Sequence, residues 1–115
     1  MKKLLCSLFA LSAISTAMAQ EVNIKILGTS DIHGRVVPWS YGADVEDKSG
    51  SYAQIATYVK DVRKNNKNVV LVDVGDAIQD NQVDVFAKDK KYYKDHPIPK
   101  VLNEMKYDVF VLGNH

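Results

Sequence analysis

Residues 69–76 read VVLVDVGD, and this stretch decides the fold of the chain. A nearly continuous run of β-branched apolar residues predicts a strand over residues 69–74 that is covered on both faces. Gly75 ends the strand, and Asp76 follows at once. Strands of this kind are typical of the parallel sheets of α/β proteins, so helices are expected on either side of it in the sequence.

Two further segments predict strands. Residues 22–27 (VNIKIL) alternate apolar and polar side chains, which indicates a strand with one buried face that ends at Gly28. Residues 107–112 (YDVFVL) form a third strand, which ends at Gly113. The three strands are separated by segments long enough for helical crossovers.

A helix is predicted in each of the two segments that separate the strands. After Ser51, apolar residues recur at spacings of three and four and form one stripe of an amphipathic helix that fades near Asn65. Pro97 and Pro99 mark the start of a second helix. The order β-α-β-α-β predicts a largely parallel sheet. Two interpretations of the polar segment 79–95 remain open: it could form a short helix, or it could cover the edge of the sheet.

The first nineteen residues have the layout of a secretory signal peptide. Two lysines precede an apolar run that leads into Ala-Met-Ala at residues 17–19, so cleavage is expected after Ala19. The run is too short to span a bilayer comfortably, and no later segment resembles a transmembrane helix. We therefore expect residues 1–19 to be removed, the single cysteine Cys6 with them, and the protein to be secreted or periplasmic.

The charge balance gives no support for a nucleic acid polymer as a partner. Without its two N-terminal lysines the chain keeps 13 of its 15 basic residues against 14 acidic residues. A net charge near zero provides no basic field for a phosphate backbone. The remaining length of about a hundred residues suits one small domain.

Each predicted strand is followed directly by a loop that carries metal-binding side chains. Asp31 and His33 follow the first strand, Asp76 follows the second, and Asn114 and His115 follow the third. Because the carboxyl ends of parallel strands meet at one edge of a sheet, these groups should lie close together. Each motif taken singly has a structural alternative. Asp31 and His33 could belong to an ordinary polar loop, Asp76 to a common Gly-Asp turn, and Asn114 could cap a helix. The occurrence of all three motifs after neighbouring strands favours a functional site.

Carboxylates, imidazoles and an amide suit metal-assisted hydrolysis at a pair of ions. A carboxylate can bridge two cations, whereas one imidazole nitrogen binds one. Two-metal sites hold their ions roughly 3.5–4 Å apart and clamp the attacking and leaving oxygens of a displacement. Mixed oxygen and nitrogen donors suit two divalent ions of Zn, Mn, Fe or Co, and the charge that remains favours a phosphate dianion.

The ordered motifs Asp-x-His, Gly-Asp and Gly-Asn-His resemble those of the calcineurin-like metallophosphoesterase superfamily. Residues 26–36 (ILGTSDIHGRV) and 107–115 (YDVFVLGNH) are similar to its secreted 5′-nucleotidase and 2′,3′-cyclic-nucleotide phosphodiesterase branch. The resemblance implies an α/β fold in which two sheets pack as an αββα sandwich, with the metal loops at the carboxyl ends of the strands. It also implies an enzyme that hydrolyses nucleotide phosphoesters.

The resemblance assigns a role to each candidate residue. Asp31 and His33 would bind the first metal ion, and Asp76 would bridge both ions. Asn114 would bind the second ion. His115 would be the catalytic residue that contacts the phosphate and stabilises the transition state or protonates the leaving oxygen.

Several features of the family do not occur in these 115 residues. They are an acidic residue after Gly-Asn-His, a later histidine ligand, a Gly-His-x-His segment and the C-terminal domain that recognises the nucleoside. We therefore expect residues 20–115 to be the N-terminal portion of a metallophosphoesterase domain, truncated after Gly-Asn-His and inactive by itself. Asp80 and Asn81 also replace the small residues that commonly follow Gly-Asp in the family.

Five other side chains have mainly structural interpretations. Asp73 is expected to support the turn at Gly75. His96 is expected to be an exposed residue at a helix start, and Arg35 either a surface residue or a phosphate contact. Trp39 and Tyr41 could stack on a base, although packing within their loop is the more common role.

Three functions are compatible with this pattern. The first is hydrolysis of nucleotides, and the second is hydrolysis of another exported phosphoester, such as a nucleotide sugar or a phospholipid head group. The third is a non-catalytic α/β ligand-binding module in which Asp31, His33 and Asp76 form a polar rim. Loss of Asp76 would leave ligand affinity largely intact only if the protein is such a binding module.

Overall fold

The computed structural model describes residues 20–115, and the predicted signal peptide lies outside this range. The strands are β1 (Lys25–Thr29), β2 (Trp39–Ser40), β3 (Val45–Glu46), β4 (Val69–Asp73) and β5 (Val109–Phe110). The helices are α1 (Tyr52–Asn65), α2 (Asp84–Lys88) and α3 (Pro97–Glu104), with a 3₁₀ helix at Lys90–Asp95.

A three-stranded parallel sheet organises these elements, with β4 between β1 and β5. Leu27 of β1 pairs with Leu71 of β4, and Val72 of β4 pairs with Val109 of β5. The mixed α/β fold with a parallel sheet is therefore confirmed. The first strand begins three residues later than predicted, and only two residues of the third predicted strand form ladder pairs.

Local signals in the sequence set the helix boundaries. Ser51 caps α1, because its side-chain oxygen accepts a hydrogen bond from the backbone N–H of Gln54 at 3.4 Å. Pro97 occupies the first turn of α3, where its missing N–H is not needed. The ring nitrogen Nδ1 of His96 accepts from the N–H of Ile98 at 3.2 Å and so caps this helix.

The core lies between one face of the sheet and helices α1 and α3. Leu71 of β4 and Ile98 of α3 are completely buried, and Tyr52 of α1 is 1% exposed. Each such apolar side chain contributes roughly 1.5–3 kcal/mol when it leaves water. The cluster is completed by Val59, Ala77, Leu102 and Met105.

The opposite face of the sheet is open in the described residues. Ile26 pairs with Val70 on this face and is 71% exposed. The prediction that β4 is covered on both faces is therefore wrong for this part of the chain, because both crossover helices pack on the side of Leu71. Val22, Ile24, Val74 and Val111 are also exposed.

Two features were not predicted with defined bounds. A short antiparallel hairpin pairs Trp39 with Glu46 and Ser40 with Val45 in the loop that follows β1. The segment 79–95 contains α2 and the 3₁₀ helix, so the short-helix interpretation is correct. Among the described residues, no helix combines the length and apolarity needed to cross a membrane.

Candidate metal centre

The loops after β1 and β4 run side by side beyond the sheet and continue its hydrogen bonding. Backbone N–H groups of the first loop donate to carbonyl groups of the second at three successive points. This ladder fixes the positions of the two loops relative to each other. The bonds are Asp31 to Gly75 (3.0 Å), His33 to Asp76 (2.9 Å) and Gly34 to Ala77 (2.8 Å).

Four polar residues at this edge adopt left-handed backbone conformations. The φ angles are 55° for Asp31, 49° for His33, 58° for Asp76 and 75° for Asp80. Asp and His tolerate this region better than most residues, yet each such residue costs of order 1–3 kcal/mol. The surrounding ladder maintains these turns, which direct the side chains toward one another.

Asp31, His33 and Asp76 form a compact cluster of donors. Each offers one ligand atom, and these atoms all lie within 4.8 Å of one another. The Nδ1 of His33 lies 3.1 Å from the carbonyl oxygen of Gln79. A proton on Nδ1 is donated to this carbonyl, which leaves Nε2 as the lone-pair donor for a cation.

The third loop reaches this cluster through Asp76. The backbone N–H of His115 donates to Oδ1 of Asp76 at 2.8 Å. A Cβ atom at Gly113 would lie 1.8 Å from the same Oδ1 and 2.4 Å from the Asp76 nitrogen, so only glycine fits there. Asn114 lies between Gly113 and His115 in the chain, and its side chain is exposed. The imidazole rings of His33 and His115 are 5.7 Å apart between centroids.

Asp80 belongs to the same site, although in the sequence it is only a departure from the family pattern. Its Oδ2 lies 3.6 Å from Nδ1 of His33 and 3.2 Å from Nδ1 of His115. Its place in the loop of Asp76, four residues further on, was the available signal. Asp80 therefore joins the first and third loops at the side of the cluster.

A buried polar network supports the turn at Gly75 from below. Asp73 is completely buried and accepts hydrogen bonds from the hydroxyl of Thr29 at 2.6 Å and from the N–H of Gly75 at 3.0 Å. The hydroxyl of Tyr107 lies 3.0 Å from that of Thr29. Burial raises the pKa of Tyr107, and burial and the charge of Asp73 raise that of Tyr52, so both phenols remain neutral. The expected support of this turn by Asp73 is confirmed.

Two other predicted side chains lie outside the cluster. Arg35 contacts Ser49 and donates to the carbonyl of Gly50 at 3.2 Å, with Asp47 at 3.7 Å, so it anchors the loop before α1. His96 does begin a helix, but the prediction that it is exposed is wrong. Its Nε2 is buried because the ring packs near Phe86, with 6.3 Å between centroids.

The donor set fits a divalent cation. Two carboxylates and one imidazole with an unprotonated Nε2 provide hard oxygen and borderline nitrogen ligands. The outer nitrogen of His33 is already satisfied by the protein, which is the usual arrangement of a metal-binding histidine. The fold thus brings together three of the residues predicted from the sequence to bind metal, Asp31, His33 and Asp76.

Comparison with known proteins identifies the family of the chain. Residues 24–115 match the family described as calcineurin-like phosphoesterase. The trifunctional nucleotide phosphoesterase protein YfkN of Bacillus subtilis is 39% identical over 84% of this chain and 7% of its own length. The 2′,3′-cyclic-nucleotide 2′-phosphodiesterase/3′-nucleotidase of Haemophilus influenzae is 36% identical over 95% of this chain and 17% of its own length. A human 5′-nucleotidase is 31% identical over 94% of this chain and 18% of its own length.

A solved structure shares the fold as well. The crystal structure of calcineurin-like phosphoesterase YfkN from Bacillus subtilis superposes with a TM-score of 0.70 at 39% sequence identity. The match covers 80% of this chain and 29% of that chain. The chain spans less than a fifth of the length of these curated relatives. With a family match over most of its residues, the chain belongs to the calcineurin-like phosphoesterase family.

Proposed function

We propose that the protein is an exported, metal-dependent enzyme that hydrolyses nucleotide phosphoesters of the 5′-nucleotide or 2′,3′-cyclic type. Residues 1–19 would be its signal peptide, and residues 20–115 would be the N-terminal portion of its catalytic domain. The names of the matched relatives support this substrate class, since they are nucleotide phosphoesterases, 5′-nucleotidases and a cyclic-nucleotide phosphodiesterase.

The proposed centre holds two divalent ions, of Zn, Mn, Fe or Co. Asp31 and His33 would bind the first ion, Asp76 would contact both, and Asn114 would bind the second. Such ions lower the pKa of water and neutralise the charge of a phosphate group. His115 would contact the phosphate.

One observation carries the proposal. Asp31, His33 and Asp76 come from two different loops, and their donor atoms lie within 4.8 Å of one another. The third loop is attached to the same carboxylate through the N–H of His115. A bound dication would offset the repulsion between the two carboxylates that converge here.

The chain's own groups define how the site would work. A carboxylate has about four lone-pair positions, and the N–H of His115 occupies one on Asp76, so the others remain for cations. Nδ1 of His115 lies 3.2 Å from Oδ2 of Asp80, so this carboxylate favours a proton on that side of the ring. As an imidazolium, His115 would also carry a proton on Nε2, which it could donate to a phosphate oxygen or deliver to the leaving oxygen.

The test uses the full-length protein that contains this chain, purified without its signal peptide. Phosphate release from AMP and from 2′,3′-cyclic AMP is measured before and after treatment with chelator, together with the metal content. We expect chelator to abolish the activity and added Mn²⁺ or Zn²⁺ to restore it. Absence of both bound metal and activity would contradict the proposal.

A matched pair of variants shows whether metal binding and activity depend on the cluster. Asp31→Asn keeps the size and tolerates the left-handed backbone, but it removes the charge from the cluster. Asp44 has the same φ of 55° in the exposed hairpin turn and serves as the control. Asp31→Asn should lower the metal content and the rate, whereas Asp44→Asn should change neither. Equal effects of the two variants would refute the assignment of Asp31.

A further inference from the structure

Two buried polar atoms at the starts of α2 and α3 have no hydrogen-bond partner among the described residues. One is Nε2 of His96, the residue that caps α3, and the other is Oδ1 of Asp84, the first residue of α2. Buried polar atoms are costly to leave unbonded, so an orphaned pair in one region of the fold calls for an explanation.

The two atoms are chemical complements. Nδ1 of His96 accepts a hydrogen bond from the N–H of Ile98 at 3.2 Å, so the single proton of a neutral imidazole is on Nε2, which is a donor. Asp84 uses Oδ2 to accept from Nζ of Lys88 at 3.0 Å, which leaves Oδ1 as an acceptor. Each atom therefore offers what the other lacks.

The imidazole lies within the field of this carboxylate. Phe86, two residues after Asp84, packs near the His96 ring with 6.3 Å between centroids. Burial lowers the pKa of His96, and the charge of Asp84 opposes this shift. Asp95, the neighbour of His96 in the chain, is exposed and lies 3.5 Å from Lys100. Asp84 is thus the charged group that acts on the ring.

A protonated imidazole cannot keep its present partner. Both ring nitrogens then carry protons, so Nδ1 no longer accepts from the N–H of Ile98. The hydrogen bond from Lys88 holds the pKa of Asp84 below its usual range, so this carboxylate stays charged when His96 takes up a proton. Acid therefore removes the cap of α3 and favours a charge-assisted bond to the free carboxylate oxygen.

We propose that His96 is an acid-operated switch, whose ring exchanges the N–H of Ile98 for Oδ1 of Asp84 when it takes a proton from solvent. The exchange draws the start of α2 toward the start of α3. This inference goes beyond the proposed function and does not depend on it, since neither His96 nor Asp84 belongs to the metal centre.

The switch acts on two cavities that α2 helps to form. Asp84 lines a polar cavity of about 440 Å³, and Phe86 and Pro97 line an apolar cavity of about 360 Å³. Trp39 and Tyr41 line both. A movement of α2 toward α3 changes the shape of both cavities.

An NMR titration of the full-length protein with ¹³C-labelled histidine tests the switch. His96→Asn identifies the signal of His96 by its loss. Asp84→Asn should lower the midpoint of the His96 titration by about one pH unit, because the imidazolium loses its carboxylate partner. Asp95→Asn removes the exposed neighbouring carboxylate and should lower the midpoint by less than about 0.3 pH unit.

Hydrogen exchange at the amide of Ile98 follows the bond that the switch breaks. After correction for the intrinsic effect of pH, protection of this amide should fall about tenfold between pH 7.5 and pH 5.0 in the unaltered protein. Protection should stay constant in His96→Asn, because asparagine can cap the helix without titrating.

Three results would overturn the switch. They are a His96 that stays neutral down to pH 5.0, an unchanged midpoint in Asp84→Asn, and equal protection of Ile98 at both pH values. If Asp84→Asn does not fold, a crystal structure of the unaltered full-length protein at pH 5.0 decides. A contact of about 3 Å between the His96 ring and Oδ1 of Asp84 supports the switch, and a retained bond to Ile98 refutes it.

Discussion

The first two loops of the metal centre and its third loop are held in different ways. Three backbone hydrogen bonds join the loop of Asp31 to the loop of Asp76. The segment from Gly113 to His115 reaches the same point through one side chain, the carboxylate of Asp76. Backbone ladders tolerate changes of side chain, whereas a contact to a carboxylate does not. Asp76 therefore has two tasks, as a donor of the site and as the attachment of the third loop.

The largest effect is expected when the two tasks of Asp76 are separated. Asp76→Asn keeps an oxygen that accepts the N–H of His115 but removes the negative charge. Metal content and kcat should fall by more than the ~10–100-fold typical of groups that only support a ligand. Asp76→Ala removes the attachment as well and should also raise the temperature factors, or hydrogen exchange, of residues 113–115. Normal metal content in both variants would show that the attachment is the main task of Asp76.

Gly113→Ala tests the close approach of the third loop to Asp76. The added Cβ would lie 1.8 Å from Oδ1, so either the third loop or the carboxylate must move. We expect a destabilisation of about 3 kcal/mol, at the upper end for overpacking, together with weaker metal binding. Urea unfolding of the full-length protein and a metal titration measure these changes.

Gly28→Ala provides the control for this substitution. Its Cβ would meet Val72 at 3.9 Å, an ordinary contact within the sheet, so little change is expected. If both variants lose the same stability, the contact with Asp76 is not the cause.

Thr29→Val tests the buried support beneath the first two loops. The substitution keeps the shape but removes the hydroxyl that donates to Asp73 at 2.6 Å. A buried carboxylate that loses a donor should cost about 2 kcal/mol of unfolding free energy. Thr29→Ser should restore most of it. Thr57→Val, at an exposed position of α1, should stay within about 0.5 kcal/mol of the unaltered protein.

The smallest effect is expected at His96, which lies outside the metal centre. Burial lowers the pKa of this imidazole, and the charge of Asp84 opposes the shift. Because the folded-state pKa lies below the unfolded value of about 6.5, the stability is complete above that pH and declines as the pH falls toward the folded-state pKa. Protonation would also remove the lone pair that caps α3.

His96→Asn measures this contribution, since asparagine can cap the helix without titrating. The unfolding free energy of the unaltered protein should fall more steeply between pH 7.5 and pH 5.0 than that of the variant. The same pH dependence in both proteins would refute the assignment to His96.

Much of this organisation could be predicted from the sequence because it depends on local signals. The β-branched run at residues 69–74 and the stripe after Ser51 specify a strand and a helix by periodicity alone. The convergence of Asp31, His33 and Asp76 follows from the rule that parallel strands end at one edge. Their roles toward metal ions remain predictions.

Other features depend on contacts between residues distant in the sequence. No local pattern places Asp80 between His33 and His115, and none shows that Gly113 is required by the carboxylate of Asp76. The cavities lined by Trp39 and Tyr41 also require the hairpin and α2 to meet.

The sequence alone therefore determined the order of the three sheet strands and the two crossover helices, the parallel sheet and the side chains available to a metal centre. Periodicity and turn residues act over a few positions, so they can be interpreted without coordinates. Only the tertiary structure decided that one face of the sheet carries both helices, that Asp76 holds the third loop, and that Asp80 lies between His33 and His115. These features are set by packing between segments that are tens of residues apart, where volume and hydrogen-bond geometry select one arrangement.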